Sequence, residues 1–308
     1  MKQTARTVLP TDLVALVSYD GRVYANQAMT RDRIGTQESP HPLETALEQW
    51  LSFATGRHTC VSVKGPTLRG LVSARKRGTR QAWEIDCLID ASGDEEVLLS
   101  LLDRITEAAG RSGALRVFLR LPADSELTLA SARAGFTPYL AERVYWRDTR
   151  GAGGEAPPSL RRRGKADLYA VFQAYNALVP PEVRRHEGMT FAEWQAAQET
   201  LGRMTHYVIE DRGRIGAWLR VAGDGDIGRF DLLADDATLD DAIAAGIAKV
   251  SNRERACVIT AEYQVALEGR LQALGFERGA EYTVLARRTV LPVKEKQNVR
   301  AVVNASFG

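Results

Sequence analysis

The stretch 88–105, LIDASGDEEVLLSLLDRI, has residue types that suggest chemistry: a strand end, a tight turn and the start of a helix. Free backbone N–H groups and the helix dipole make such a turn a common seat for phosphate. Here Asp94, Glu95 and Glu96 open the helix. A carboxylate about 6 Å from a phosphate charge repels it by roughly 3 kcal/mol at an effective dielectric near 20. A second turn, LLADDATLDDAI at 232–243, is equally acidic.

Helix capping explains these acids. The stretch from Ser92 to Glu95 has the pattern S-x-x-E, and the stretch from Thr238 to Asp241 has the pattern T-x-x-D. Both patterns predict capping boxes, in which a hydroxyl and a carboxylate accept the free N–H groups of the first turn. A cap stabilises a helix by about 1 kcal/mol, and acids in the first turn add about 0.3–1 kcal/mol. We therefore expect both helices to satisfy their own N-termini.

Cysteine and histidine give no sign of a metal site. Three cysteines lie far apart without a C-x-x-C pair, which favours buried thiols in a reducing compartment over disulfides. The histidines show no metal-ligand spacing among themselves or with the cysteines. These residues are Cys60, Cys87, Cys257, His41, His58, His186 and His206.

The composition is that of an ordinary soluble globular protein with 308 residues, enough for two domains. The formal net charge of +2 gives no reason to expect nucleic acid or an anionic membrane as a partner. The N-terminal stretch has no apolar signal core, and no run approaches the roughly 20 apolar residues of a membrane span. We expect a cytoplasmic protein without a membrane segment.

A break in apolar periodicity divides the chain into two halves. The stretch DTRGAGGEAPPSLRRRGKA is rich in glycine, proline and charge, which is typical of a linker. The predicted organisation is an N-terminal domain at 1–147, a linker at 148–166, a C-terminal domain at 167–293 and a tail at 294–308.

Both halves have the same predicted order of elements, which suggests a tandem duplication. Each runs strand, two helices, three meandering strands, helix, strand, short helix, strand. The first half begins with the strand ARTVLP, and its two helices are TDLVALVSY at 11–19 and HPLETALEQWLSFATG at 41–56. Both short helices end in Gly-Phe, in LASARAGF at 129–136 and EGRLQALGF at 268–276.

This order, with its Gly-Phe ends, resembles the GNAT superfamily of acyl-CoA N-acetyltransferases. Gly135 and Gly275 suit a left-handed helix C-cap, after which Phe136 and Phe276 would turn back into the core. The resemblance implies an α/β fold class, namely two tandem GNAT-like domains. Each would be a mostly antiparallel mixed sheet flanked by helices.

The resemblance also implies a place for acetyl-CoA. In the family a basic residue and closely spaced glycines, roughly R-x-x-G-x-G, open the helix after the fourth strand and receive the diphosphate. Neither half has this loop, so a donor site would be a variant one. By position, the residues that would contact the cofactor are Ile89, Ala91, Gly93, Leu233 and Ala234.

Family enzymes often use a carboxylate on the fourth strand as general base, so the resemblance makes Glu84, Asp86 and Asp231 the catalytic candidates. The competing interpretation is an exposed or paired acid with a structural role. A tyrosine that donates a proton to the leaving thiolate in many members is replaced here by Ser131 and Leu271.

Three functions remain open from the sequence. The first is acyl transfer from acetyl-CoA to an unknown small-molecule or peptide amine. The second is a catalytically degenerate GNAT-fold scaffold with a binding or regulatory role. The third is a transferase with another donor, such as aminoacyl-tRNA, which the near-neutral charge disfavours. The expected assembly is a monomer whose halves pack as a pseudo-dimer with their last strands adjacent, or a homodimer.

Overall fold

The computed structural model describes residues 5–7, 25–34, 56–65, 67–79, 81–149, 155–199 and 204–290. The strands in these ranges are β1 (Arg6–Thr7), β2 (His58–Lys64), β3 (Thr67–Lys76), β4 (Ala82–Asp90), β5 (Arg116–Pro122), β6 (Thr137–Asp148), β7 (Leu160–Arg162), β8 (Thr205–Asp211), β9 (Arg214–Asp224), β10 (Ile227–Ala234), β11 (Arg255–Ala261) and β12 (Glu277–Arg288). The helices are α1 (Glu95–Arg111), α2 (Leu127–Arg133), α3 (Leu168–Leu178), α4 (Pro181–Glu187), α5 (Phe191–Ala197), α6 (Leu239–Val250) and α7 (Val265–Ala273).

All these strands form one sheet in the order β1-β2-β3-β4-β5-β12-β6-β11-β10-β9-β8-β7. Pairing is antiparallel except at β4–β5 and β10–β11, which are parallel. The sheet is therefore built from two six-stranded halves, which confirms the predicted mixed α/β class with a tandem arrangement.

Apolar periodicity explains where the helices pack. On α1 the residues Leu98, Leu101, Leu102 and Ile105 recur at helical spacing and are at most 1% exposed. With α2 they cover one face of the first half, and α6 and α7 cover the second half in the same way. The helices α3, α4 and α5 cover another part of the second half, α3 and α5 with aromatic side chains and α4 with Val183.

Two elements differ from the sequence-based expectation. The strand β7 lies inside the stretch predicted as linker and pairs with β8. The helix α4 was not predicted, although Pro181 at its first position and Gly188 directly after it are standard boundary signals. The helices predicted at 11–19 and 41–56 lie outside the described residues apart from Gly56, as does the tail.

The last strands of the two halves are exchanged. Between the halves, β6 pairs with β11 and β12 pairs with β5, while β6 and β12 pair with each other at the centre. Leu285 of β12 consequently belongs to the core of the first half, and Tyr145 of β6 to the core of the second. The predicted adjacency of the last strands is confirmed, and each core needs a strand from the other half.

The Gly-Phe ends are as predicted. Gly135 and Gly275 have φ of 81° and 80°, in the left-handed region that favours glycine. Phe136 and Phe276 are 1% and 3% exposed and lie in the two cores. These residues close the short helices and have a structural role.

No helix in the described ranges is long and apolar enough to cross a membrane. All three cysteines are free and buried, and burial raises the pKa of Cys60 to about 11. Among the described residues no three metal-ligating side chains converge on one point.

The strand exchange predicts that the halves unfold together. Leu285→Ala removes a fully buried side chain and should cost about 2–5 kcal/mol of unfolding free energy. Denaturant unfolding followed by tryptophan fluorescence should show one transition, shifted as a whole. Leu129→Ala, at a side chain that is 74% exposed, is the control and should change stability by less than about 0.5 kcal/mol. Two separate transitions, with only one of them shifted, would contradict this coupling.

Candidate functional site

In both halves the parallel strand pair separates along its length. β4 and β5 pair only from Ala82 to Glu84, and β10 and β11 pair only from Ile227 to Phe230. Beyond these points the facing backbone groups need other hydrogen-bond partners, because buried N–H and C=O groups are rarely left unpaired. The two gaps are filled in different ways.

The gap of the first half is filled by the chain itself, through residues 25–34, which we call the strap. The side chain of Asn26 accepts the N–H of Leu88 on β4 at 2.9 Å, and the N–H of the residue after Asn26 donates to the carbonyl of Leu88 at 2.9 Å. On the other side of the gap, the N–H of Met29 donates to the carbonyl of Arg120 on β5 at 2.9 Å. The strap thus takes the place of a missing strand partner.

The strap continues into the second half and places Arg31 there. The guanidinium of Arg31 donates to Asp231 at 2.7 Å and lies 3.2 Å from Glu199. In return, Arg229 of β10 donates to the carbonyl oxygens of Arg31 and Ile34 at 3.3 and 3.1 Å. The segment that closes the first gap therefore also supplies a side chain to the second.

The gap of the second half opens into a cavity of about 90 Å³. One side chain bridges its strands, since Gln264 donates to the carbonyl of Leu232 at 2.8 Å and accepts the N–H of Ala261 at 2.9 Å. Leu233, Ile259 and Ala261 line the walls beyond the last paired residues. The remaining lining comes largely from α3, α4, α5 and the charged side chains of the sheet.

A network of buried ion pairs lies beside this cavity. Arg120 donates to Glu142 at 2.6 Å and to Glu199 at 2.7 Å, and Arg77 lies 3.0 Å from Glu199. Burial would lower the pKa of Arg31, but Glu142, Glu199 and Asp231 outweigh it and hold that pKa well above its usual value. The network, which we call the acid–arginine cluster, consists of Arg31, Arg75, Arg77, Arg120, Arg220, Glu84, Glu142, Glu199 and Asp231.

Glu187, at the end of α4, is one of two cavity carboxylates that sequence reasoning missed, the other being Glu199. Glu187 accepts hydrogen bonds from the hydroxyls of Tyr175 at 3.0 Å and Tyr139 at 3.5 Å. None of the described arginines or lysines forms an ion pair with it. Burial raises the pKa of Glu187, although Tyr175, Arg31 and Arg77 act in the opposite direction. A raised pKa in a cleft is a common property of groups that transfer protons.

The three predicted catalytic acids are all buried, and the structure brings two of them together. Asp231 accepts hydrogen bonds from Arg31 and, at 2.5 Å, from Arg220, and it lines the cavity. Glu84 belongs to the same cluster, through ion pairs with Arg75 and Arg77.

Asp86 lies apart from the cavity, with Arg57 at 2.8 Å from its carboxylate. The catalytic roles of all three acids stay predictions. The residues that replace the family's tyrosine, Ser131 and Leu271, are fully buried.

The start of α1 satisfies its own amide groups, but the predicted capping box is wrong. Gly93, with φ of 63°, turns the chain, so the N-cap is Asp94, which accepts the N–H of Glu96 at 3.0 Å. Asp90 accepts the N–H groups of Ser92 and Gly93 at 3.2 and 2.9 Å. Carboxylates thus accept these N–H groups, and Arg69 pairs with Asp94.

The box predicted at Thr238 is also wrong. Its hydroxyl makes no cap hydrogen bond to α6 and donates instead to Asp235 at 2.9 Å, which also accepts the N–H of Thr238 at 3.1 Å. The reason is that Asp235, on the strand side of the turn, accepts hydrogen bonds from both the N–H and the hydroxyl of Thr238. The turn remains acidic, with Asp236 exposed beside it.

The five predicted cofactor contacts lie in two places, near the start of α1 and at the end of β10. Ile89 pairs with β3, and Ala91 donates its N–H to the carbonyl of Arg69. The N–H of Gly93 donates to the carboxylate of Asp90. In the second half, Leu233 lines the cavity, and Ala234 is the last residue of β10. Cofactor binding by these residues stays a prediction.

No protein-family model and no curated protein sequence matches the chain. Several solved structures do. A GCN5-related N-acetyltransferase from Sphaerobacter thermophilus is 14% identical with a TM-score of 0.49, and the match covers 94% of this chain and 97% of that one. A tandem GNAT protein from the clavulanic acid biosynthesis pathway is 14% identical with a TM-score of 0.47, covering 91% and 94%. A functionally unknown protein from Staphylococcus epidermidis is 11% identical with a TM-score of 0.50, covering 76% and 92%.

At these identities the likeness concerns the fold. The sheet has two six-stranded halves, each with one parallel pair that separates. The fold is similar to that of these structures. Within this fold, the second half has an open gap and a cavity, whereas the gap of the first half is closed by the strap.

The raised pKa of Glu187 predicts how Glu187→Gln changes stability with pH. A carboxyl whose pKa is higher in the folded state binds more protons there, so its contribution to stability falls as pH rises from its unfolded pKa through its folded pKa. Relative to wild type, the Gln variant should therefore gain stability between about pH 4 and pH 8, because Gln stays neutral and still accepts from Tyr175.

Thermal unfolding at both pH values measures this difference. Glu182→Gln, at an exposed carboxylate on the same helix, is the control and should show no such trend. A Glu187→Gln variant that loses stability at the higher pH would contradict the assignment.

Proposed function

We propose that the second half is the donor-binding and catalytic half of an acyltransferase that moves an acyl group from a pantetheine thioester, such as acetyl-CoA, to an amine. The observation that supports this is the open β10–β11 gap, which leads into a cavity with a proton-accepting carboxylate. The first half then acts as a structural partner, because its equivalent gap is filled by the strap.

A pantetheine arm fits the second gap by its amide chemistry. The carboxamide of Gln264 already links Leu232 and Ala261, so an amide of the arm can make the same two hydrogen bonds once that side chain turns away. A bound thioester would supply the activated acyl carbon. The residues around it hold the reactants and exclude water.

Glu187 would accept the proton of the acceptor amine. Glu187 takes this proton from the ammonium form of the acceptor, which frees the nitrogen lone pair. As the nitrogen bonds to the acyl carbon, the carbon–sulfur bond breaks and its electron pair leaves with sulfur, while the proton that the nitrogen then loses passes to the sulfur through the hydroxyl of Tyr263. Tyr263 lines the same cavity, and burial raises the pKa of its phenol, so it is protonated before and after the step.

Glu187→Gln should lower kcat/KM for acyl transfer by about 100-fold or more, because general-base catalysis contributes on that scale. Thiol release from acetyl-CoA over a panel of amines measures the rate. The rise in Tm on adding millimolar acetyl-CoA measures donor binding separately and should survive the substitution. Glu182→Gln should change neither quantity.

Thiol release at the wild-type rate in Glu187→Gln would exclude Glu187 as the proton acceptor. No Tm shift together with no thiol release in the wild type would overturn the transferase and favour a degenerate scaffold.

The acidic turn before α6 predicts weak dependence on the nucleotide part of the donor. The resemblance assigns the diphosphate to this helix start, where Asp235 is paired with Arg214 and Asp236 is exposed, so we expect that group to gain little there. The KM for acetyl-pantetheine should lie within about threefold of the KM for acetyl-CoA, a difference of less than 1 kcal/mol. A preference of tenfold or more for acetyl-CoA would show that another surface holds the diphosphate.

A further inference from the structure

The cavity has room for a cation and none for an unpaired anion. Three guanidinium groups of the described residues line it, and each already faces a carboxylate: Arg31 and Arg220 face Asp231, and Arg77 faces Glu199. An entering carboxylate therefore finds no arginine of the lining without an ionic partner. It also meets the negative charges that those arginines already balance.

Glu187 is the exception among the lining carboxylates. Only tyrosine hydroxyls hold it in the described part of the chain, at 3.0 Å from Tyr175 and 3.5 Å from Tyr139. A neutral hydroxyl does not balance a negative charge, and a partly buried carboxylate gains most from a cation at hydrogen-bond distance. Among the described residues, the place beside Glu187 is thus the one that lacks a cation at hydrogen-bond distance.

Aromatic rings form the wall around this position. Trp194 packs on Tyr175 with ring centroids 5.9 Å apart and on Trp218 at 5.9 Å. Ring faces attract cations, and Trp218 already carries the guanidinium of Arg220 at 4.9 Å from its centroid. Tyr263 adds a fourth ring to the lining. Such a wall suits the alkyl part of an ammonium compound.

The volume limits the chain that fits. A cavity of about 90 Å³ is smaller than the roughly 150 Å³ cavity that holds benzene in an engineered protein, and it leaves room for a short alkyl group. We propose that this cavity binds the acceptor as a small alkylammonium ion with no carboxylate next to its nitrogen, the ammonium group lying against Glu187. This assignment rests on the proposed function, because it names the acceptor class of the same site.

Binding to the full chain without any acyl donor tests the assignment. The probes are n-propylammonium, 2-aminobutyrate, which adds a carboxylate to the same carbon skeleton, and n-propanol, which lacks the charge. Indole N–H resonances are suitable reporters, because that of Trp194 has no hydrogen-bond partner among the described residues. Trp194→Phe assigns its resonance.

The expected result is a Kd for n-propylammonium at least about tenfold lower than for either comparison compound. Glu187→Gln should weaken n-propylammonium binding by about tenfold or more, and Glu182→Gln should leave it unchanged. Equal or tighter binding of 2-aminobutyrate, unchanged affinity in Glu187→Gln, or no perturbation of the Trp194 resonance at saturating n-propylammonium would overturn the assignment.

Acyl-transfer assays separate this inference from the proposed function. Binding of the ammonium probe without any acyl transfer would reject the proposed transferase function and support the ammonium-binding site. Acyl transfer to amino acids in preference to simple amines would support the transferase function and reject the inferred specificity.

Discussion

Two parallel strands that separate leave backbone N–H and C=O groups in need of partners, and buried groups of this kind must be satisfied. The protein meets this requirement twice and in different ways. Main-chain groups of the strap, aided by Asn26, occupy the β4–β5 gap. A single carboxamide, that of Gln264, bridges the β10–β11 gap. A side chain can turn away more easily than a strap held at several points, and this difference is why the second half is the candidate site.

The same strap ties the halves together electrostatically. Arg31 leaves the first gap and completes a cluster whose carboxylates come from β4, β6, β10 and the residues after α5. Breaking one partner of a buried ion pair leaves an uncompensated charge, which is strongly destabilising. The cluster and the exchange of β6 and β12 therefore make the two halves one structural unit, although their element order is that of a duplication.

Charge balance also shapes the site. Burial raises the pKa of Glu187, and among the described residues tyrosine hydroxyls hold its carboxylate instead of cations. Carboxylates accept the amide groups at both helix starts, by Asp90 and Asp94 in one half and by Asp235 in the other, and Arg69 and Arg214 pair with Asp94 and Asp235. In the proposed function the donor is therefore held mainly by its arm, and the acceptor is held as a cation.

The sequence by itself determined most of the order of the described elements, the position of β4, the amphipathic helices and the Gly-Phe ends, because these depend on local periodicity and on φ angles that favour glycine. It also located acidic helix starts, but it assigned the wrong capping residues, since caps depend on the path of the turn. Glu84 and Asp231 were found as strand acids, whereas Glu187 lies on a short helix with little apolar periodicity. Only the tertiary structure decided which strands are exchanged, which gap is filled and which carboxylate lacks a cation. Those outcomes depend on groups far apart in the chain that meet only after folding, as Arg31 and Asp231 do.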